Sequence, residues 1–345
     1  MARLPRHKQI DETKVEVHHC INRCVRQAFL CGVDESSGKN YDHRKTWIQD
    51  RLEFLAGEFA IDVIGFSVMS NHFHLILRHR PDLAAFWTDA QVAWRWWNLF
   101  PGHRNADGTP AKATKSDIKA LSKKIRTLRQ RISSISWLMR CLAENIARRA
   151  NQEDETTGRF FQGRFRSQKL IDEPSVLACA IYVDLNPIRA NITKTPESSE
   201  FTSAYVRIQA KRQRARRKSW KQGERAIDEW LSPLELERRE RSLGSKSKRR
   251  ASDRGFLSLS LDHYLQLLDW TGRQVRSDKR GAIPADLAPI LERLQVSTNC
   301  WVDLVSGFGR WFRRAVGRPP SMEEERERRG CNWLQGISHA RKAFD

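Results

Sequence analysis

Two histidines separated by a single residue are the first feature of this chain with the chemistry of a metal site. His72 and His74 lie in the stretch IDVIGFSVMSNHFHLILRHR, residues 61–80. Apolar runs flank the turn-prone pair Ser70-Asn71, which predicts two antiparallel strands joined by a hairpin turn. Because successive side chains of a strand point to opposite faces, His72 and His74 share a face and could bind one ion.

A third ligand and a nucleophile are expected on a later helix. Two histidines alone hold a catalytic divalent ion poorly. A helix is predicted from Glu173-Pro174 to Asn186-Pro187, since proline favours the first turn and the residue before a proline disfavours helix. Tyr182 and Asn186 are four residues apart and share a face of this helix. We therefore predict that Tyr182 is a nucleophile and that Asn186 is the third ligand of the His72/His74 ion.

This combination favours chemistry on a phosphodiester. The pKa of a tyrosine is near 10 in water, so the phenolate is scarce at neutral pH and needs help to attack. A bound ion can polarise a phosphate oxygen and neutralise charge in the transition state. A covalent phosphotyrosine would keep the energy of the broken bond for rejoining without ATP. Tyr205 is the alternative nucleophile, although it lies in a less clearly defined segment of the chain.

Each of these residues also has a structural interpretation. The two histidines could be ordinary strand residues, one packed and one solvated. Tyr182 could fill the core, and Asn186 before Pro187 could simply terminate a helix.

The composition indicates a polyanionic partner. The chain has 345 residues, a net charge of +21 and 39% hydrophobic residues. That content is enough for a core, and the charge points first to nucleic acid. We find no apolar run of membrane-spanning length and no signal peptide, so a cytoplasmic protein without membrane contact is expected, associated with the nucleoid when bound to DNA.

The cysteines do not predict a zinc site. Seven cysteines are scattered along the chain, and most are expected to be reduced and buried. His18, His19, Cys20 and Cys24 have the residue types of a zinc site. On a strand, however, His19 faces away from His18 and Cys20, which disfavours a closed site.

The hydrophobic periodicity predicts alternating strands and helices around the hairpin. The fold class is α+β, a ferredoxin-like split βαβ sheet (RRM-like) with helices on one face and an added helical C-terminal region. Strands are predicted at 15–24 and 160–171 besides the hairpin, and helices at 41–59, 83–99, 112–132 and 134–151.

The same patterns divide the chain into four parts. Residues 1–14 are expected to be a basic N-terminal arm, and 15–195 the catalytic domain, with a longer basic helical segment at 81–133. Residues 196–254 are expected to be a basic linker, because 211–225 alone holds eight Lys or Arg and one Glu. Residues 255–345 are expected to be a helical accessory region.

Four cationic residues near the predicted site are candidates for phosphate contact. The strand over 160–171 carries three of them and the end of the last helix the fourth: Arg164, Arg166, Lys169 and Arg189.

Three motifs resemble a known superfamily. MSNHFHLIL resembles the histidine-hydrophobic-histidine signature of HUH single-strand endonucleases. GRFFQGRFRSQKLIDEP followed by IYVDLNPIRA resembles its single-tyrosine transposases, in particular the REP-associated tyrosine transposase group. The resemblance covers roughly residues 10–195 and is interrupted by the long segment 81–133. Ser70 stands where proline is frequent in that family.

The resemblance implies a specific activity. It implies that His72, His74 and Asn186 hold Mg or Mn, and that Tyr182 forms a 5′-phosphotyrosine with single-stranded or hairpin DNA, in a protein that tends to dimerise. We therefore predict a metal-dependent single-strand DNA endonuclease and strand-transferase, a transposase. The alternative is a non-catalytic RNA- or DNA-binding protein on a ferredoxin-like sheet. GRFFQGRF lacks the aromatic spacing of RNA-recognition modules, which disfavours that alternative.

Overall fold

A five-stranded sheet is the centre of the computed structural model, which describes residues 5–25, 30–34, 38–106, 109–217, 224–236, 244–276 and 287–344. The strands are β1 (Glu16–Arg23), β2 (Ile61–Val68), β3 (His72–His79), β4 (Arg166–Leu170) and β5 (Ala315–Val316). Their order is β2-β3-β1-β4-β5, in which the first four strands are antiparallel neighbours and β5 is parallel to β4. With the helices around this sheet, the predicted α+β class is confirmed.

Helices follow every strand except β2. They are α1 (His43–Glu58), α2 (Pro81–Phe86), α3 (Asp89–Leu99), α4 (Lys115–Ser122), α5 (Ile125–Ile132), α6 (Ile135–Glu153), α7 (Glu173–Asp184), α8 (Asn186–Arg189), α9 (Ser203–Arg216), α10 (Leu261–Arg276), α11 (Ala288–Arg293), α12 (Trp301–Trp311), α13 (Pro319–Arg328) and α14 (Ile337–Ala343). Short 3-10 turns lie at Arg6–Lys8 and Pro196–Ser198.

The two faces of the sheet have separate hydrophobic cores. We call the face that bears His19, His74 and Gln168 the front face, and the opposite face the back face. Directly paired residues of antiparallel strands share a face. His19 of β1 pairs with Ile76 of β3 and with Gln168 of β4, and His74 lies two residues from Ile76 on the same face of β3. Helices α7 and α12 pack on the front, whereas α1 and α6 pack on the back.

Helix α7 is apolar on all sides because it is enclosed. Its residues from Pro174 to Asp184 are all buried, between the front face and the C-terminal helices. The side chain of Asp172 caps its first turn by accepting a hydrogen bond from the backbone N–H of Ser175, at 3.1 Å. This enclosure fixes the position of Tyr182 over the sheet.

Several elements differ in extent from the expected ones. The helix predicted at 83–99 is two helices, because Thr88 caps α3 in a capping box with Gln91. The helix predicted at 112–132 is likewise two, α4 and α5. The strand predicted at 160–171 is shorter, since Gly163 has a φ of +108° that ends any extended run before β4.

The C-terminal half is packed onto the sheet. The range predicted to be a linker contains α9, whose Ala204 and Val206 are buried. Helices between residues 287 and 344 share the front-face core with α7. In the described part of the chain, no helix has both the length and the apolar character needed to cross a membrane.

Candidate functional site

Tyr182 meets a cluster of histidine rings on the front face. Its ring centroid lies 5.8 Å from that of His74 and 6.0 Å from that of His19, edge-on to both. The rings of His72 and His74 are 4.8 Å apart. Strand β3 supplies two of these histidines, β1 supplies the third, and α7 lays the phenol over them.

The hydrogen bonds of His19 determine which nitrogen of His74 carries a proton. The amide oxygen of Gln168 can only accept, so Nδ1–H of His19 donates to it across 3.2 Å. The Nε2 atom of His19 is then an acceptor, and it lies 2.8 Å from Nδ1 of His74, which must be the donor. His74 therefore presents the lone pair of its Nε2, which is buried and has no hydrogen-bond partner among the described residues.

His72 is held in the same tautomer by a neighbouring amide. Its Nδ1–H donates to the side-chain oxygen of Asn71 across 2.6 Å, which leaves the lone pair on Nε2. The sequence interpretation places both histidines on one strand face, and the structure does the same. Two imidazoles with Nε2 lone pairs on one face have the chemistry of a metal ligand pair.

Burial keeps these imidazoles neutral. It lowers the pKa of His19 to about 4 and that of His72 to about 4, and it lowers the pKa of His74 well below its usual value. Burial also raises the pKa of Tyr182, although the nearby Arg189 opposes this shift. The phenol is thus protonated at neutral pH in this conformation.

Asn186 lies on α8, one turn beyond Tyr182. It is 8% exposed, and its side-chain nitrogen is buried without a hydrogen-bond partner in the described residues. The sequence predicts a single helix that ends at Asn186. Instead α7 ends at Asp184 and a second turn begins at Asn186, since Pro187 is tolerated in a first turn.

Helix α12 covers Tyr182. Phe308 lies 5.3 Å from its ring centroid, and a Cβ atom added at Gly309 would collide with the Tyr182 hydroxyl. Arg189 bridges the two helices, because its guanidinium lies 4.7 Å from the Tyr182 ring centroid and donates to the carbonyl of Ser306 across 2.7 Å. Tyr182 is consequently only 9% exposed.

The four cationic candidates do not all lie near Tyr182. Arg166 is exposed and pairs with Ile21 on the front face, and Arg164 is exposed just before β4. Lys169 differs from the expectation. It points to the back face, where its ammonium lies 2.6 Å from Glu16 and 3.1 Å from Glu325. Alternation along β4 separates it from Arg166.

The structure also contains a group that sequence reasoning did not select. Glu16, His18 and His79 are buried on the back face, with one potential ligand atom each, all within 4.8 Å of one another. A signal for it exists in the sequence, because Glu16 and His18 have the same one-residue separation as His72 and His74. His79 joins Glu16 and His18 only through the pairing of β1 with β3, which the local sequence pattern does not show. The alternative nucleophile Tyr205 lies on α9, beside Phe201 and Ile227.

Comparison with known proteins finds a weak structural similarity. No protein-family model matches this chain, and no curated protein sequence does. A solved structure of a REP-associated tyrosine transposase bound to a REP hairpin has a TM-score of 0.36 and 10% sequence identity to it, covering 61% of this chain and 86% of that one. A TM-score this low is no basis for assigning a fold or an activity to this chain.

Proposed function

We propose that this chain is a metal-dependent single-strand DNA endonuclease and strand-transferase that acts through a phosphotyrosine on Tyr182. The observation that carries the proposal is the contact of the Tyr182 ring with His74, 5.8 Å between centroids, beside a buried His74 Nε2 that lacks a hydrogen-bond partner in the described chain. A phenol next to two imidazoles that present Nε2 lone pairs is suited to nucleophilic attack on a phosphodiester once an ion is bound.

The scaffold we propose is a ferredoxin-like split βαβ sheet. The order β2-β3-β1-β4, with neighbours antiparallel and with α1 and α6 on the back face, supports this assignment. Strand β5 and the helices after α8 are additions to it. In this arrangement the nucleophile-bearing α7 packs on the front face, away from α1 and α6.

The side chains at the site fit a divalent ion such as Mg or Mn. His72 and His74 would hold it through Nε2, and Asn186 would be the third ligand through its amide oxygen after rotation of an amide whose nitrogen has no hydrogen-bond partner in the described residues. When bound, such an ion polarises a phosphate oxygen and neutralises developing negative charge. His19 and Gln168 would keep His74 in the metal-binding tautomer.

The chain's own residues supply the covalent chemistry. The phenolic oxygen of Tyr182 forms a bond to phosphorus as the P–O3′ bond breaks. The phenolic proton ends on the released 3′ hydroxyl, and the 5′ phosphate stays on the tyrosine. Arg189, against the Tyr182 ring, favours the phenolate, and the exposed Arg166 would contact the DNA backbone. Reversal of the same step rejoins the strand without ATP.

The test is a covalent adduct. Full-length protein is incubated with end-labelled single-stranded or hairpin DNA and Mn²⁺ or Mg²⁺, then separated under denaturing conditions. The wild type should form a denaturant-resistant adduct that chelator prevents. Tyr182→Phe should abolish it and Tyr205→Phe, the matched control, should retain it. An adduct with Tyr182→Phe would show that the nucleophile is another residue.

The same assay addresses the non-catalytic alternative. A nucleic-acid binder that uses its sheet must expose that sheet to the bases. Here α7 and α12 cover the front face, and α1 and α6 cover the back, so base stacking on the sheet would require these helices to move, and access of DNA to Tyr182 would require α12 to move. If the wild type binds DNA tightly but never forms an adduct with any substrate, the binding protein becomes the better description.

A further inference from the structure

A second buried cluster of ligand atoms lies on the back face, away from Tyr182. Glu16 pairs directly with His79 across β1 and β3, and His18 is two residues along β1 on the same face. All three are buried, at 6%, 1% and 0% exposure in the order Glu16, His18, His79. One oxygen and two ring nitrogens lie within 4.8 Å of one another.

His79 is the residue that points to a ligand. It is fully buried, and neither of its ring nitrogens has a hydrogen-bond partner among the described residues. Buried polar atoms without a partner are rare, because each loses its hydration and gains nothing in return. An ion bound by one of these nitrogens would supply the missing partner of that nitrogen.

His18 and Glu16 can complete the site with small movements. Nε2 of His18 lies 3.0 Å from the Glu16 carboxylate, and Nδ1 lies 3.1 Å from the hydroxyl of Ser167. A hydroxyl can donate or accept, so His18 can place its proton on Nδ1 and present the lone pair of Nε2. Ligand atoms on a tetrahedral zinc ion are about 3.3 Å apart, so the three side chains need only close inward.

We infer that Glu16, His18 and His79 bind one transition-metal ion of the zinc type, at a site separate from the histidines beside Tyr182. Two imidazoles and a carboxylate are a ligand set that zinc accepts readily. The cations next to Glu16, chiefly Lys169 and beyond it Arg329, disfavour weakly held hard ions such as Mg²⁺ or Ca²⁺. An ion that is bound mainly by the two imidazoles is less affected by these cations.

The position of the site suggests a structural role. Lys169 links Glu16 to Glu325 of α13, with distances of 2.6 Å and 3.1 Å, and Glu325 in turn binds Arg329 across 2.6 Å. An ion on the other oxygen of Glu16 would link β1 and β3, through Lys169 of β4, to helix α13 of the C-terminal region. This inference does not depend on the proposed DNA chemistry.

Metal titration of full-length protein tests the inference. The starting protein is His72→Ala/His74→Ala, which lacks the front-face ligands, stripped with chelator. Co²⁺ is added and its visible absorption followed, and Zn²⁺ is then used to displace it. We expect one ion per chain. A further His79→Ala change should weaken binding more than about 100-fold, since loss of an outer partner alone costs about 10–100-fold.

His43→Ala is the matched control. His43 also contacts a glutamate, with Nε2 2.6 Å from Glu153, but it is half-exposed on α1. This change should leave the affinity as it was. If the starting protein binds no ion, or if the His43 and His79 changes weaken binding equally, the inference is overturned.

A second measurement covers the case in which His79→Ala fails to fold. X-ray absorption of the Zn²⁺-loaded His72→Ala/His74→Ala protein counts the imidazole ligands directly. Two imidazoles with oxygen in the remaining shell support the site, and fewer than two imidazoles contradict it.

Discussion

Replacing His19 by phenylalanine should weaken metal binding at the His72/His74 site, although His19 is not a proposed ligand of the ion. An aromatic ring is kept, although it is slightly larger, but the acceptor 2.8 Å from Nδ1 of His74 is lost. His74 must then leave a buried N–H unpaired, at a cost of about 1–3 kcal/mol, or move its proton to Nε2, where it opposes a cation. Loss of such an outer partner typically lowers metal affinity about 10–100-fold, or about 1.4–2.7 kcal/mol. The cost of the unpaired N–H and the expected loss of metal-binding free energy are therefore of similar size.

The assay is Mn²⁺ binding followed by the electron paramagnetic resonance signal of free Mn²⁺, which does not require DNA or turnover. His19→Gln should recover part of the affinity, because the amide oxygen can accept from His74 in place of the lost nitrogen. Cys20→Ala is the control, since Cys20 is the next residue on β1, is fully buried and faces the back. If His19→Phe folds and binds Mn²⁺ as tightly as the wild type, the assignment of the His74 tautomer is wrong.

Three further predictions concern stability and DNA affinity. Gly309→Ala places a methyl group against the Tyr182 hydroxyl and should lower the free energy of unfolding by about 1–3 kcal/mol in denaturant titration; an unchanged value would mean that α12 does not pack there. Burial lowers the pKa of His19 and of His79 from 6.5 to about 4, so below pH 6.5 the unfolded chain takes up protons that the folded chain does not. Chelator-treated protein should therefore lose about 1.4 kcal/mol of stability per pH unit for each of these histidines down to about pH 4, and a flat profile would exclude buried neutral imidazoles. With a net charge of +21, affinity for single-stranded DNA should fall steeply with salt, with a log–log slope of about −0.7 per phosphate neutralised, whereas a weak salt dependence would contradict phosphate contact.

Local sequence patterns predicted the elements near the histidines closely. The strand expected at 15–24 is Glu16–Arg23, and the helix expected at 41–59 is His43–Glu58. Alternation along β3 put His72 and His74 on one face, and helical spacing put Tyr182 one turn before Asn186. Such predictions succeed because they depend on backbone geometry within a few residues.

The predictions failed where a turn was encoded by one or two residues inside a periodic run. Thr88 and Gln91 cap a new helix within an apolar pattern that reads as continuous. Gly163 has a positive φ inside a run with strand composition. A hydrophobic period is judged over a window of many residues, so a single capping residue or glycine within the window does not change it.

The tertiary structure alone decided which distant residues meet. His19 joins His74 only because β1 pairs with β3 in a particular register, and a shift by one residue would turn His19 to the other face. The same register brings His79 to Glu16 and His18 on the back. Helix α12 reaches Tyr182 from more than a hundred residues away.

The sequence thus determined which side chains could bind an ion or attack a phosphate, together with the face that each occupies on its own element. It could not determine the partners of those side chains. Partners such as His19, Gln168 and Phe308 come from strand register and helix packing, which depend on the burial of whole faces rather than on any local pattern.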